Sequence, residues 1–298
     1  MKVLLTGATG QAGWELARSL MPLGEVTALD RVACDLAQPA QLDGVVDAIA
    51  PDVIVNAAAY TAVDKAESEP ALARTINAES VGRLAAAARR HGALLVHYST
   101  DYVFDGRKST PYLEDDATAP LNVYGESKLA GERAIVAEGC DHLILRTTWV
   151  YAARGHNFVA TMLRLFAERE RLTVVADQIG APTWARNIAD TTALLVPWAQ
   201  GRRAAGEPFG RCFHLTAAGE TSWHGFAREI LRQAKLHWPA HGWVVERIDP
   251  IPSSAYPTPA VRPANSRLDG GRLARETGLV LPAWQDALAR CLAERRAP

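Results

Sequence analysis

The stretch "KVLLTGATGQAGWEL", residues 2–16, runs from an apolar segment through spaced glycines into an amphipathic one. "KVLL" (2–5) reads as a strand covered on both faces, since nothing after Lys2 marks a solvent side. "GWELARSLMPL" (13–23) reads as a helix. Gly7, Gly10 and Gly13 between them form G-x-x-G-x-x-G. Lacking a Cβ, such residues allow a tight turn and a close approach of other groups to the backbone. The helix that follows presents unpaired N–H groups, a seat for a diphosphate. A glycine triplet alone is often only a turn. At the junction of a first strand and a first helix it signals a nucleotide.

Outward from this turn, apolar runs alternate with longer amphipathic ones. After "VTAL" (26–29) come a helix around 39–50 and "DVIVNAA" (52–58). An Ala-rich helix near 70–91 follows, then "ALLVHYST" (93–100), a helix holding Tyr124, and "HLILRTT" (142–148). This β-α-β order predicts a doubly wound, parallel α/β sheet of the Rossmann kind. Beyond residue 148 the pattern loosens, with helices expected near 157–169, 186–199, 222–236 and 282–295. Short strands are expected near 172–175, 212–215 and 244–248. The proline-rich "PIPSSAYPTPAVRP" (250–263) cannot be a regular helix. The expected division is a dinucleotide-binding domain over 1–148 with 183–217. A smaller C-terminal α/β substrate domain takes 149–182 with 218–298.

Bulk properties narrow the classes. The 298 residues suffice for one large or two coupled domains, and 48% hydrophobic with 22% charged residues suits a water-soluble protein. A net charge of −1 offers no general attraction for nucleic acid or anionic membrane. No run nears the roughly 20 apolar residues needed to span a bilayer, and "MKVLLTGATG" is too short for a signal peptide, so the default expectation is cytoplasmic. Cys34, Cys140, Cys212 and Cys291 form no CxxC pair and read as buried free thiols. The histidines show no ligand spacing, so no metal is assigned.

The chemistry gathers at the strand ends. Asp30, closing the second apolar run, stands where a carboxylate accepts hydrogen bonds from an adenosine ribose, which suits NAD. Arg31 either meets a 2′-phosphate, admitting NADP, or is a solvated surface charge; the coenzyme stays open between NADPH and NADH. Asp35 and Leu36 are candidates to flank the adenine. The strand ending "HYSTDYVFDG" (97–106) delivers Ser99, Thr100 and Asp101 to the carboxyl edge of the sheet. Tyr124 and Lys128, four residues apart in "NVYGESKLAGE" (122–132), share a helix face. Carbonyl reduction needs such a set. Thr100 would hydrogen-bond the carbonyl oxygen and Tyr124 would donate the proton. Lys128 would lower the phenol pKa and hold the nicotinamide ribose.

These motifs resemble those of the extended short-chain dehydrogenase/reductase family. "TGATGQAGWEL", "VNAAAYTAVDKAESEP", "STDYVFDG", "YGESKLAGE", "LRTTWVY", "NFVATMLRL", "DQIGAPT" and "RPANSRL" carry the likeness over nearly the whole chain. The resemblance implies hydride transfer from NADPH or NADH to the C4 carbonyl of a dTDP-sugar, dTDP-4-dehydro-β-L-rhamnose. It implies that Gly10, Gln11 and Ala12 hold the pyrophosphate and that Asp30, Asp35 and Leu36 meet the adenosine. Ala58, Ala59, Tyr60 and Thr61 would line the cofactor, and Thr100, Asp101, Tyr124, Lys128 and Trp149 would surround the sugar. Trp149 is a sugar platform on this reading and a core residue otherwise. Asp101 tunes the site or caps a turn. Arg262 and Asn265 contact the diphosphate or nucleoside, or form surface pairs; Gln178 and Thr183 order the loop beneath the substrate, or serve structure alone.

Two rivals share the fold: another sugar-nucleotide enzyme of the family, a 4,6-dehydratase or an epimerase, and a non-catalytic NADP-binding regulatory subunit. Dehydratases follow the Thr-Asp pair with glutamate, and here Tyr102 fills that place. A non-catalytic regulatory subunit would have no need of Thr100, Tyr124 and Lys128 together. Some relatives bridge subunits through Mg²⁺ on three glutamates. Glu15 and Glu294 match two of those positions, but Arg186 replaces the third, so the expectation is no metal and a monomer or weak homodimer.

Overall fold

The computed structural model describes residues 1–204, 206 and 209–296. Residues 205, 207–208 and 297–298, which fall within the expected domain spans, lie outside the described residues. The first half runs β1 (Lys2–Thr6), α1 (Gln11–Ser19), β2 (Glu25–Leu29), α2 (Leu42–Ile49), β3 (Val53–Asn56), α3 (Val63–Ala66) and α4 (Pro70–Arg74). It continues through α5 (Ser80–His91), β4 (Leu94–Thr100), α6 (Val123–Glu138) and β5 (His142–Thr147). Next are β6 (Val150–Tyr151), α7 (Phe158–Glu168), β7 (Arg171–Val175), β8 (Ile179–Gly180), β9 (Thr183–Trp184) and α8 (Ala185–Arg203). The chain ends with β10 (Gly210–His214), β11 (Thr221–Ser222), α9 (Trp223–His237), β12 (Arg247–Ile251), α10 (Gly271–Thr277) and α11 (Trp284–Ala293).

Six parallel strands order as β10-β5-β4-β3-β1-β2. Alternating side chains divide the sheet's contacts between two layers. Val3, Leu5, Val53, Val55 and Val96 pack on one face under α1 and α8, with Leu16, Ile188 and Val196. Leu4, Ile54, Leu95 and Ile144 pack on the other, with Val46, Leu84 and Ile135 of α2, α5 and α6. The inner strands β1, β3 and β4 are buried almost throughout, as their unbroken apolar runs require, while the edge strands β2 and β10 are more open. Strand order reverses between β1 and β3, and a fold of this kind takes its ligand at that switch point.

A second core lies beyond β5. Tyr151, Phe166, Trp184, Phe226, Ile230, Trp284 and Leu288 join α7, α9 and α11 against the parallel pair β7–β12. The last expected strand is displaced to 247–251, where Pro250 fits because β12 has, among the described residues, no second neighbour needing its N–H.

The helix expected over 70–91 is interrupted. Residues Thr75–Glu79 form a π-helical turn between α4 and α5. The bulge turns Asn77 inward. Its Oδ1 accepts from the Tyr60 amide at 2.8 Å, and its Nδ2 donates to the Tyr60 carbonyl at 3.0 Å and to Ser127 Oγ at 2.9 Å. Gly131 of α6 admits the bulge, because a Cβ there would lie 2.1 Å from the Asn77 carbonyl oxygen. Helical periodicity hides such an insertion. No helix among the described residues is long and apolar enough to cross a membrane.

Candidate active site

The glycine turn takes the form its spacing predicts. Gly7 has φ +72°, and a Cβ on it would lie 2.6 Å from the Ala58 amide nitrogen, so this turn sits directly against the segment after β3. Gly10 caps α1 without a side-chain hydrogen bond, and no acidic residue occupies the first turn. Gln11 Oε1 is buried there with no partner among the described residues. An anionic diphosphate fits free amides at a positive helix end. Asp30 Oδ1 accepts from the amides of Val32 and Ala33 at 3.0 and 3.1 Å, fixing the carboxylate at the end of β2. Arg31 is exposed and lies 3.5 Å from Asp35, whose Oδ1 also accepts from the Ala37 amide. Leu36 is buried, Ala58 and Ala59 are half-buried, and Thr61 is exposed. Tyr60 turns its hydroxyl to Glu69 at 2.7 Å.

The catalytic candidates converge from two elements. Thr100 ends β4 and accepts from the Tyr102 amide at 3.2 Å while donating to Asp101 Oδ1 at 3.1 Å. Asn122 caps α6 by accepting from the Gly125 amide at 2.8 Å. Gly125 allows this helix start to press on the turn after β4, where a Cβ would meet the Tyr102 carbonyl oxygen at 2.3 Å. Tyr124 thus comes beside Thr100, with its ring edge-on to Tyr102 at 5.5 Å. Buried hydroxyls without aligned partners among the described residues cluster at these strand ends: Ser99, Thr147 and Thr148. Each costs free energy if left unmet, so the cluster marks a place built for polar contact.

One electrostatic expectation is corrected. Burial pushes the Tyr124 phenol above its ordinary range, and only hydrogen bonding to Thr100 pulls it back; Lys128 contributes nothing to its acidity here. The reason is direction. Lys128 is almost fully buried, and its Nζ reaches back to β4, donating to the Tyr98 carbonyl at 2.6 Å and lying 3.1 Å from His97 Nε2. Burial lowers Lys128 to about 8, against an opposing pull from Glu132. Burial also raises Asp101 to about 6. Its Oδ2 makes no aligned hydrogen bond among the described residues, although the nearby hydroxyls of Ser266 and Thr148 offset part of that rise.

Trp149 adopts φ +46°, a backbone state that costs a bulky residue about 1–3 kcal/mol. The turn stacks its indole on Trp223 at 3.6 Å and 13°. Gly180 makes room, since a Cβ there would lie 2.6 Å from the indole. Trp149 remains half-buried. Neither Gly180 nor Trp223 stands out in the sequence, because the contact joins three distant segments.

The remaining candidates are engaged within the protein. Arg262 donates to Asp64 at 2.6 Å and to the Tyr102 hydroxyl at 3.3 Å, and the Asn122 amide donates to the Val261 carbonyl at 2.8 Å. The end of the proline-rich segment is therefore fastened to residues flanking Thr100 and Tyr124. Asn265 donates to the carbonyls of Lys108 and Thr110, and its Oδ1 accepts from Arg267, so its amide organises the loop and is not presented to the site. Gln178 donates to Ser253 Oγ at 3.0 Å, and Thr183 donates to the Ala181 carbonyl at 3.0 Å. Arg186 stands between Glu15, at 3.0 Å, and Glu294. Asp64, absent from the sequence-based candidates, is findable only through its partner 198 residues away.

Known proteins resemble this arrangement. The family described as "RmlD substrate binding domain" matches residues 1–297. A dTDP-4-dehydrorhamnose reductase of Burkholderia thailandensis is 56% identical over 292 residues, 98% of each chain. One from Shigella flexneri is 50% identical, over 99% of this chain and 98% of its own. A crystal structure of the Bacillus anthracis dTDP-4-dehydrorhamnose reductase in complex with NADP superposes with a TM-score of 0.88, at 35% identity over 98% of this chain and 99% of that one. Matched from end to end in sequence and in fold, the chain belongs to the RmlD substrate binding domain family.

Proposed function

We propose that the protein is an NADPH-dependent dTDP-4-dehydrorhamnose reductase that also admits NADH. It reduces the C4 carbonyl of dTDP-4-dehydro-β-L-rhamnose to the alcohol of dTDP-L-rhamnose. The observation that carries this reading is the meeting of Thr100 and Tyr124 at the strand ends beside Lys128. Full-length likeness to reductases of that name supports the substrate. The cofactor body would be 1–148 with 183–217 and the sugar-nucleotide body 149–182 with 218–298, in keeping with the separate cores of the sheet and of α7, α9 and α11.

Gly7, Gly10 and Gly13 would let the pyrophosphate approach the first turn of α1, with Gln11 and Ala12 beside it. Asp30 would bond the adenosine ribose, and the exposed Arg31 would meet a 2′-phosphate. The reduced nicotinamide, when bound, would supply the hydride. Thr100 holds the carbonyl oxygen, and Tyr124 transfers its phenolic proton to that oxygen as the alkoxide forms. Because burial keeps the phenol protonated, the donor is loaded at neutral pH. Trp149, half-buried and steadied by its stack on Trp223, would pack against the sugar, and Arg262, by its pair with Asp64, would hold the proline-rich segment beside the site.

The test is loss of reduced-nicotinamide absorbance with dTDP-4-dehydro-β-L-rhamnose, run separately with NADPH and NADH and with the product identified by NMR. Rapid oxidation yielding dTDP-L-rhamnose is expected. Binding of both coenzymes without turnover would overturn the reading.

A further inference from the structure

A chain of buried groups runs from the strand before the glycine turn to Lys128, and the reaction outlined above uses neither of its middle members. Thr6, Asn56, His97 and Lys128 are each no more than 2% exposed. Their bond directions follow from the one member that cannot reverse. The Ala58 backbone N–H only donates, so the atom it meets at 3.2 Å is Asn56 Oδ1, which also accepts from Thr6 Oγ1 at 2.7 Å. Asn56 Nδ2 therefore faces His97 Nδ1 at 3.1 Å. An amide NH₂ only donates, so Nδ1 must accept. Burial and the neighbouring Lys128 keep His97 neutral, well below its ordinary range. Its single ring proton then sits on Nε2, which lies 3.1 Å from Lys128 Nζ. Against an ammonium this contact sets donor to donor. Against a neutral amine it is a hydrogen bond to the nitrogen lone pair.

We propose that His97, oriented by Asn56, is a positioning residue whose tautomer is coupled to the charge of Lys128. The ring proton is on Nε2 when Lys128 is an amine and on Nδ1 when it is an ammonium. The second arrangement requires Asn56 to turn its amide, which leaves the Ala58 N–H facing an NH₂ group. The network therefore favours the amine, in the same direction as burial. On α6 itself, Glu132 pulls Lys128 upward, but Arg146 of β5 engages that carboxylate at 2.6 and 2.9 Å, and Tyr124 lies one turn the other way. From β4 come His97 and the Tyr98 carbonyl, and from the π turn the amide of Asn77 through Ser127. The catalytic consequence rests on the reductase reading, but the coupling does not. On that reading the Lys128 ammonium holds the nicotinamide ribose, so activity should fall as pH rises through the Lys128 titration.

The coupling is read in the intact, unmodified protein by NMR of ¹⁵N-histidine and ¹³C-lysine labels, from about pH 6 to about pH 10. His97 should carry its proton on Nε2 at the alkaline end and on Nδ1 at the acid end, with the midpoint of the Lys128 Cε signal. A single tautomer throughout the Lys128 titration, or Nδ1–H at the alkaline end, would overturn the proposal. His97→Gln offers an oxygen that can accept from the ammonium. It should move the alkaline limb of kcat/KM up by about one pH unit, a tenfold gain in the protonation constant. Uniform loss of activity with the limb unmoved would mean that His97 only fills space. Coupled titrations in a protein that oxidises no NADPH would sink the reductase reading and leave the coupling standing.

Discussion

Gly13→Ala tests whether the contact between α1 and the glycine turn is as tight as the structure requires. A Cβ at residue 13 would lie 2.0 Å from the Gly7 carbonyl oxygen, 2.7 Å from its carbon and 3.0 Å from Ala8 Cα. Contacts under 3.0 Å do not persist, so α1 or the turn must move by at least 3.0 − 2.0 = 1.0 Å. Both partners are backbone, and no side chain can rotate away. The same Gly7 oxygen accepts from the Gly10 amide at 3.0 Å, so displacing it opens the turn that would face the pyrophosphate. Overpacking of this kind costs about 1–3 kcal/mol. A misplacement of about 1 Å at a reacting constellation costs on the order of 10²-fold in rate. NADPH fluorescence titration, kcat/KM and urea denaturation of the variant should show weaker cofactor binding, a rate loss of that order and a lower midpoint. Gly44→Ala is the control, since it lies within α2 with nothing inside 4 Å of its Cβ. It should gain about 0.5–1 kcal/mol from reduced backbone entropy. Unchanged NADPH affinity and urea midpoint in Gly13→Ala would refute the packing argument.

Tyr124→Phe should leave NADPH affinity nearly intact while lowering turnover by about 10²–10⁴-fold; surviving turnover in steady-state assays would mean that the proton comes from elsewhere. Asp101 is held at about 6, above its unfolded value of 3.8, so the folded state binds the proton more tightly and stability falls as pH rises from about 4 to about 6. Asp101→Asn should therefore be more stable than the parent by about 2–3 kcal/mol above that window and lose the advantage below it, as judged by urea midpoints at several pH values. Glu132→Gln leaves the buried Arg146 guanidinium without its paired carboxylate, which is expected to cost about 3–5 kcal/mol in urea denaturation; a loss under about 1 kcal/mol would show that water reaches the pair. Arg186→Glu would put a third carboxylate between Glu15 and Glu294. Its thermal midpoint should drop in chelator and recover with added Mg²⁺, and a midpoint indifferent to Mg²⁺ would count against that cluster as a cation cage.

The inner strands could be read from sequence because layers cover both their faces, which demands unbroken apolar runs such as "DVIVNAA". The glycine turn was equally open to reading, since close backbone approach leaves a mark in residue type. The π turn at 75–79 was not, because inserting one residue leaves the local composition helical. At the site, order along the chain brought Thr100, Tyr124 and Lys128 together, yet side-chain direction escaped the pattern. The i,i+4 spacing places Lys128 beside Tyr124, whereas its ammonium reaches a carbonyl on β4. Contacts such as Trp149 on Trp223, or Arg262 on Asp64, depend on segments that meet only in the folded molecule.

The stitching of late chain onto early chain bears on how the molecule is made. β1, the glycine turn and α1 leave the ribosome well before α8, which covers α1 and brings Arg186 to Glu15, 186 − 15 = 171 residues later. At translation rates of about 5–20 residues per second, that interval lasts roughly 10–35 s. Asp64 waits longer still for Arg262. The nascent sheet thus spends its early life with one apolar face only partly covered, by α1 alone, until α8 emerges.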